Sequence, residues 1–288
     1  MVRLIAWGFV GTTRPALARR LLRGGLGRAS ETLCFSRPIA PPTIVPQPLD
    51  DLMNSLELFR RAAWLAVVAC VIASNPSRAS EPTGPFTAKP LAQAAPDELA
   101  APIRASLADQ GTQILDGAGK PYLSLWFRKS LPLVEAFDGP QGNILLPGVT
   151  IGELIGAVHF PEEWIDYRDQ LIEPGTYTIR YAHHPVDGNH QDVSPYRDFL
   201  LLVPAKLDQT TEPFGLDDLN KKSAESTGSS HPSVLPLVPA GDPVPQPTTL
   251  EDATHATWSL TLGLPAVAGQ AKTPTTIPIR FIIFGVGH

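Results

Sequence analysis

Cysteine is nearly absent from this chain: of 288 residues only Cys34 and Cys70 carry a thiol, and both precede residue 71. Residues 80–288 therefore exclude disulfides, thiolate metal sites and a Cys nucleophile. A domain of about 200 residues buries enough apolar surface to do without such staples. Charge is sparse at 18%, and its two signs are kept apart. Residues 1–79 hold ten Arg, no Lys and four acids, a net +6; residues 80–288 hold 13 Lys+Arg against 24 Asp+Glu, a net −11. No basic stripe follows residue 80, so a nucleic-acid partner is excluded, because phosphate binding needs clustered Lys and Arg. Also missing are a Gly-rich phosphate loop, a zinc-binding H-E-x-x-H, a nucleophile-elbow G-x-S-x-G and any internal repeat. Long helices are opposed by 31 Pro and 23 Gly, which break the chain into short elements.

What is present begins with the N-terminus. The two methionines are Met1 and Met53. After Met53 comes a tripartite export signal: Arg60 and Arg61, the apolar run Ala62 to Ala73, then small residues with Ser77 and Ala79 at the −3 and −1 places. The apolar run is too short for a comfortable bilayer span. Val67-Val68-Ala69-Cys70 also resembles a bacterial lipobox, which would make Cys70 a lipidation site, although Val71 and Ile72 after it are less usual. Residues 1–52 combine an Arg-rich tract with a Pro-rich breaker, Pro38 to Pro48. An export signal belongs at a terminus, so translation is expected to begin at Met53. The expected organisation is thus an upstream, non-structural extension (1–52), a signal peptide (53–79), a linker (80–96, rich in Pro, Ala, Ser and Thr) and one β-rich domain (97–288).

Within that domain Asp97 is placed to cap a short helix to about Ala108, with Leu99, Ile103 and Leu107 on one stripe. A second helix is expected over 216–226, with Asp217 and Asp218 early and Lys221 and Lys222 late, as the helix dipole favours. Elsewhere the period is two. A hairpin is expected across 113–128, turning at Gly117 to Pro121. Further strands are expected at 153–160 and after Pro174-Gly175, where Tyr177, Ile179 and Tyr181 oppose Thr176, Thr178 and Arg180. Phe199 to Val203 reads as a strand buried on both faces. Trp258 to Leu264 alternates, Ile277 to Val286 is the last strand, and residues 227–250 read as a long surface loop. The fold class is mainly β: a β-sandwich or jelly-roll-like domain with one or two short helices.

All seven histidines follow residue 158, and three fall in His183-His184-Pro185-Val186-Asp187-Gly188-Asn189-His190-Gln191-Asp192. This polar loop joins two apolar strands, where sites are commonly carried. Asp187, Asn189, His190, Asp192, Tyr196 and Arg197 are the candidate ligand-binding residues. His183, His184, Asp187 and His190 are the candidate ligands of a divalent metal, the one cofactor considered. Strand neighbours point to opposite faces, so His183 and His184 are poor joint ligands. The spacing matches neither an EF-hand nor the H-x-H…Glu pattern of jelly-roll metalloenzymes. The structural alternative is a loop that holds itself together, through Asp187-Gly188-Asn189 turn chemistry and Arg197 and Asp198 bonded to each other or to backbone. Glu162, Glu163, Asp166 and Asp169 read as a solvated loop anchored by Trp164 and Tyr167. His231 and His255 read as isolated.

The strings PEEWIDYRDQ, PGTYTIRYA, DGNH and VSPYRDFLLL, with a later HPSVLPL, together resemble a group of exported bacterial proteins without an assigned function. The resemblance covers roughly residues 97–240 and implies export and a β fold. The leading expectation is a non-catalytic exported domain, periplasmic, surface-associated or secreted, that binds a small polar ligand, a glycan or an envelope partner. Its only membrane contact would be the signal or a lipid anchor. Two alternatives stay open: a metal-assisted hydrolase or isomerase using loop 183–192, and a structural envelope protein. Mass spectrometry of the exported protein should place the mature N-terminus at Ser80; a diacylglycerol-modified Cys70 would establish the lipoprotein form instead.

Overall fold

The computed structural model describes residues 82–185, 194–269 and 274–287. The signal segment, Cys70 and the upstream extension lie outside the described residues. Among the described residues, thirteen strand segments and two α-helices make a mainly β, sandwich-like fold. The large sheet contains β1 (Thr87–Leu91), β2 (Gly111–Leu115), β3 (Pro121–Phe127), β5 (Leu154–Phe160), β8 (Gly175–His183), β9 (Asp198–Pro204) and β10 (Leu235–Pro236), all antiparallel and in that order. Its strands follow chain order, so it is a meander rather than a jelly roll. The second sheet holds β11 (Thr248–Asp252), β12 (Thr257–Ala268) and β13 (Thr275–Phe284), with β4 (Leu131–Leu133) parallel to the end of β12. A two-strand ribbon pairs β6 (Trp164–Ile165) with β7 (Leu171–Ile172).

The hairpin of β2 and β3 shows how local chemistry shapes the meander. Asp116 Oδ1 accepts from the N–H groups of Ala118 (3.0 Å) and Lys120 (2.8 Å), and Gly119 takes φ 79°, open to a residue without Cβ. The expected alternation on β8 is present. Tyr177, Ile179 and Tyr181 enter the core between the sheets with Phe160, Leu200, Leu262 and Phe281. The opposite face is not solvated. Helix α1 (Ala101–Ser106) packs Ile103 with Leu99 and Leu107 against Trp126 and Leu154. Helix α2 (Leu216–Thr227) packs Leu219 against Phe199 and Leu201. Both faces of β9 are therefore buried, as its unbroken apolar run implied.

Several details differ from the sequence reading. Residues 80–96 have a linker's composition, yet contain β1, an edge strand paired to β2. Helix α1 is shorter than its apolar stripe because Pro102 sits in its first turn and Leu107 is extended. Asp97 does not cap it; its carboxylate pairs with Arg104. Lys221 and Lys222 stand mid-helix, and the last turn of α2 has no basic residue. Residues 227–250 are not simply a surface loop. Leu235 and Leu237 are buried, and this segment bridges the sheets: β10 pairs with β9, while Leu237 bridges to Phe281 and the Val238 N–H donates to the Arg280 carbonyl at 3.0 Å.

The outer face of β8 carries a fully buried ion pair. Arg180 donates to Asp208 through Nε (2.9 Å) and Nη2 (2.8 Å), and to the carbonyls of Gly152 (2.8 Å), Glu212 (2.7 Å) and Thr210 (2.5 Å). Thr178 Oγ1 donates to the same carboxylate at 2.5 Å. The guanidinium lies 4.1 Å from the Phe214 ring centre. Gly152, at φ 84°, brings its backbone so close to Phe214 that a Cβ would lie 2.0 Å from the Phe214 carbonyl oxygen. An uncompensated buried charge is costly, so Asp208→Ala should lower unfolding free energy by about 3–5 kcal/mol in urea titrations. Asp97→Ala, which removes an exposed partner of Arg104, should cost less than about 1 kcal/mol in the same assay.

Candidate functional site

The described ends of the polar loop hold themselves in place. Asp198 is fully buried, accepting from Leu145 N (2.8 Å), Leu146 N (3.0 Å) and the Tyr181 hydroxyl (2.5 Å). Arg197 does not bond Asp198. Its Nε and Nη2 donate to the His184 carbonyl at 3.3 and 3.2 Å, while the His184 N–H returns a bond to the Arg197 carbonyl at 2.9 Å. Asp187, Asn189, His190 and Asp192 lie outside the described residues. The two adjacent histidines take opposite sides of the sheet, as strand geometry requires. The His183 ring meets Tyr181 edge-on at 5.2 Å, and the His184 ring lies 5.4 Å from Phe199. Among the described residues, no three His, Cys, Asp or Glu side chains converge to hold a metal.

His183, Tyr181 and Asp198 form one chain of hydrogen bonds. The Tyr181 hydroxyl has one proton, which it gives to Asp198 Oδ1, so His183 Nε2, 2.8 Å away, must donate to the phenol oxygen. Burial raises the Tyr181 pKa, and the adjacent Asp198 carboxylate raises it further. Burial lowers that of His183, partly opposed by Asp198 and reinforced by Arg197 and His184.

Asp166, read from the sequence as part of a solvated run, is buried. Its carboxylate accepts from the N–H groups of Arg168, Gln170 and Val234, each at 2.8–2.9 Å, fastening residues 164–170 to the bridging segment. Trp164, as expected, anchors the run: it stacks on Phe160 at 4.8 Å and donates Nε1 to the Ile283 carbonyl at 3.3 Å. Glu162 stays at the surface, paired with Lys120 at 2.6 Å.

Two clefts flank this loop, and Tyr167 lines both. The smaller, about 220 Å³, is lined by His183, His184, His231 and Asn220 with Phe199 and Leu201. The larger, about 460 Å³, lies over the outer face of the second sheet. It is lined by Tyr167, Ser194, Tyr196 and Arg280, with Asp252 and His255 from the β11–β12 turn. Thr257 and Ser259 of β12 also line it. Arg280 Nε donates to Ser259 Oγ at 2.8 Å, and Ser259 Oγ donates on to the Leu250 carbonyl at 3.2 Å. His255 is not isolated: its Nδ1 meets Asp252 Oδ2 at 2.8 Å, and this bond is the main cause of a lowered Asp252 pKa. Ser194 Oγ accepts the Tyr196 N–H at 3.2 Å, a turn contact. The chain matches no family model, no curated protein and no solved structure.

Of the sequence candidates, Tyr196 lines the larger cleft, His183 and His184 line the smaller, and Arg197 serves the backbone. Sequence reasoning missed Arg280 and the Asp252–His255 pair. Each left a trace: Arg280 is a lone charge at an outward position of the alternating run Ile277 to Ile283, and Asp252 and His255 are three apart in a turn. The lowered His183 pKa has a consequence. Unfolded, the imidazole binds a proton near pH 6.5; folded, it does so only at lower pH. The unfolded chain thus holds more protons between these values, and stability present above about pH 6.5 is lost as pH falls through the folded pKa. Urea unfolding at about pH 7.5 and about pH 5.5 should show this loss, and His183→Gln, which keeps a donor for Tyr181, should shrink it.

Proposed function

We propose that the protein is an exported binding protein for a small polyhydroxylated ligand, a sugar or short glycan, held in the cleft between Tyr167 and Tyr196. The observation that carries this reading is the cleft's make-up: two tyrosines, the hydroxyls of Ser194, Thr257 and Ser259, a guanidinium and a carboxylate–imidazole pair within about 460 Å³. That volume suits a small ligand, and converging polar groups orient one. A sugar offers apolar C–H surface edged by hydroxyls, and tyrosine answers with an apolar ring and a polar tip. The tripartite segment 53–79 and the resemblance to exported bacterial proteins support a place outside the cytoplasm.

A glycan array probed with the purified protein should show saturable binding to at least one carbohydrate. Tyr196 is half-buried, so Tyr196→Ala should keep the circular dichroism spectrum while weakening that binding by about tenfold, roughly 1.4 kcal/mol. An array without any bound carbohydrate would overturn the reading.

A further inference from the structure

The arginines of the domain differ in how their donors are used. Arg180 is fully matched, with acceptors on every guanidinium nitrogen. Arg128 pairs with the buried Glu153, Arg104 with Asp97, and Arg197 with the His184 carbonyl. Arg280 is half-buried between Ile279 and Phe281, both core residues. Its Nε is held by Ser259, and among the described residues neither Nη1 nor Nη2 has an acceptor and no carboxylate pairs with it. A charge withdrawn from water is ordinarily paired. The open side of a guanidinium is a planar fork that fits the two oxygens of a carboxylate.

Arg280 also has a particular place. It lines the 460 Å³ cleft and a second one of about 610 Å³, and Val238 and Pro239 form the wall common to both. The bond from the Val238 N–H to the Arg280 carbonyl fixes that wall beside the guanidinium. Away from Arg280 the charges change sign. The second cleft offers Asp138 and Asp242, and the first offers Asp252. Cation is therefore concentrated at the seam and anion to either side, which disfavours a uniformly charged polyanion.

From this we infer that the ligand is an acidic oligosaccharide with one carboxylate-bearing unit seated on Arg280 and neutral sugar units running into both clefts. The inference rests on the sugar-binding reading and specifies its substrate class. The test is calorimetric titration of the purified protein with three tetrasaccharides: one neutral, one with a single internal glucuronate, and one composed wholly of uronate. The singly acidic probe should bind about tenfold or more tighter than either of the others. Arg280→Gln should abolish that preference, bringing the singly acidic probe to within about twofold of the neutral one on the same variant. Should Arg280→Gln fail to fold, Arg280→Lys decides, because an ammonium lacks the fork and should reduce the preference by about threefold or more. Equal affinity for neutral and singly acidic probes, tightest binding of the wholly acidic probe, or a preference that survives the Arg280 variants would overturn the inference and leave sugar binding intact. Failure of all three probes, with an empty glycan array, would take both readings down together.

Discussion

The buried pair of Arg180 and Asp208 governs how the outer face of the large sheet is built. Arg180 projects from β8 away from the inter-sheet core, where the simple alternation rule would leave it in water. Instead it is fully buried, and a buried guanidinium must have its donors met. The acceptors come from residues 208–212 and from Gly152, so this one side chain ties the β9–α2 connection to the entry of β5. Helix α2 begins immediately after that connection and lies over β9. Losing the pair would therefore leave a buried charge unmatched and loosen the tie between the β9–α2 connection and the entry of β5.

The sandwich closes by different means along its two edges. Along one, Phe86 packs against Tyr122 at 4.8 Å, Phe284 at 5.0 Å and Trp258 at 5.6 Å, joining the segment before β1 to both sheets. Along the other, residues 235–238 pair with β9 and then with β13. This second closure also shapes the candidate site. The chain that leaves it lines both clefts beside Arg280, and Asp166 secures the same segment through Val234. Stability and site geometry thus share a structural member.

Much of the fold was legible because its signals are local. The alternation on β8, the apolar run of β9 and the turn at Asp116 to Lys120 each depend on residues a few positions apart. The elements misjudged were those decided by distant partners. Thr87–Leu91 looks like linker until β2 supplies a neighbour, and Leu235–Leu237 looks like loop until β9 and β13 do. The site was less legible. The cluster of histidines drew notice because it is dense in sequence. The 460 Å³ cleft instead assembles Tyr167, Tyr196, Asp252, Ser259 and Arg280 from separate elements, none of them dense.

Composition and periodicity by themselves determined the β class, the absence of thiol chemistry after residue 79 and the inward face of each long strand, because these follow from residue identity and a period of two. In the sequence Arg180 and Arg280 look alike, each a lone cation in an apolar strand. Only the tertiary structure separated them. A connection nearly thirty residues downstream folds back over Arg180 and supplies its acceptors; the segment beside Arg280 presents an N–H to its backbone and no acceptor to its side chain. One arginine thereby became part of the scaffold, and the other was left facing a cleft.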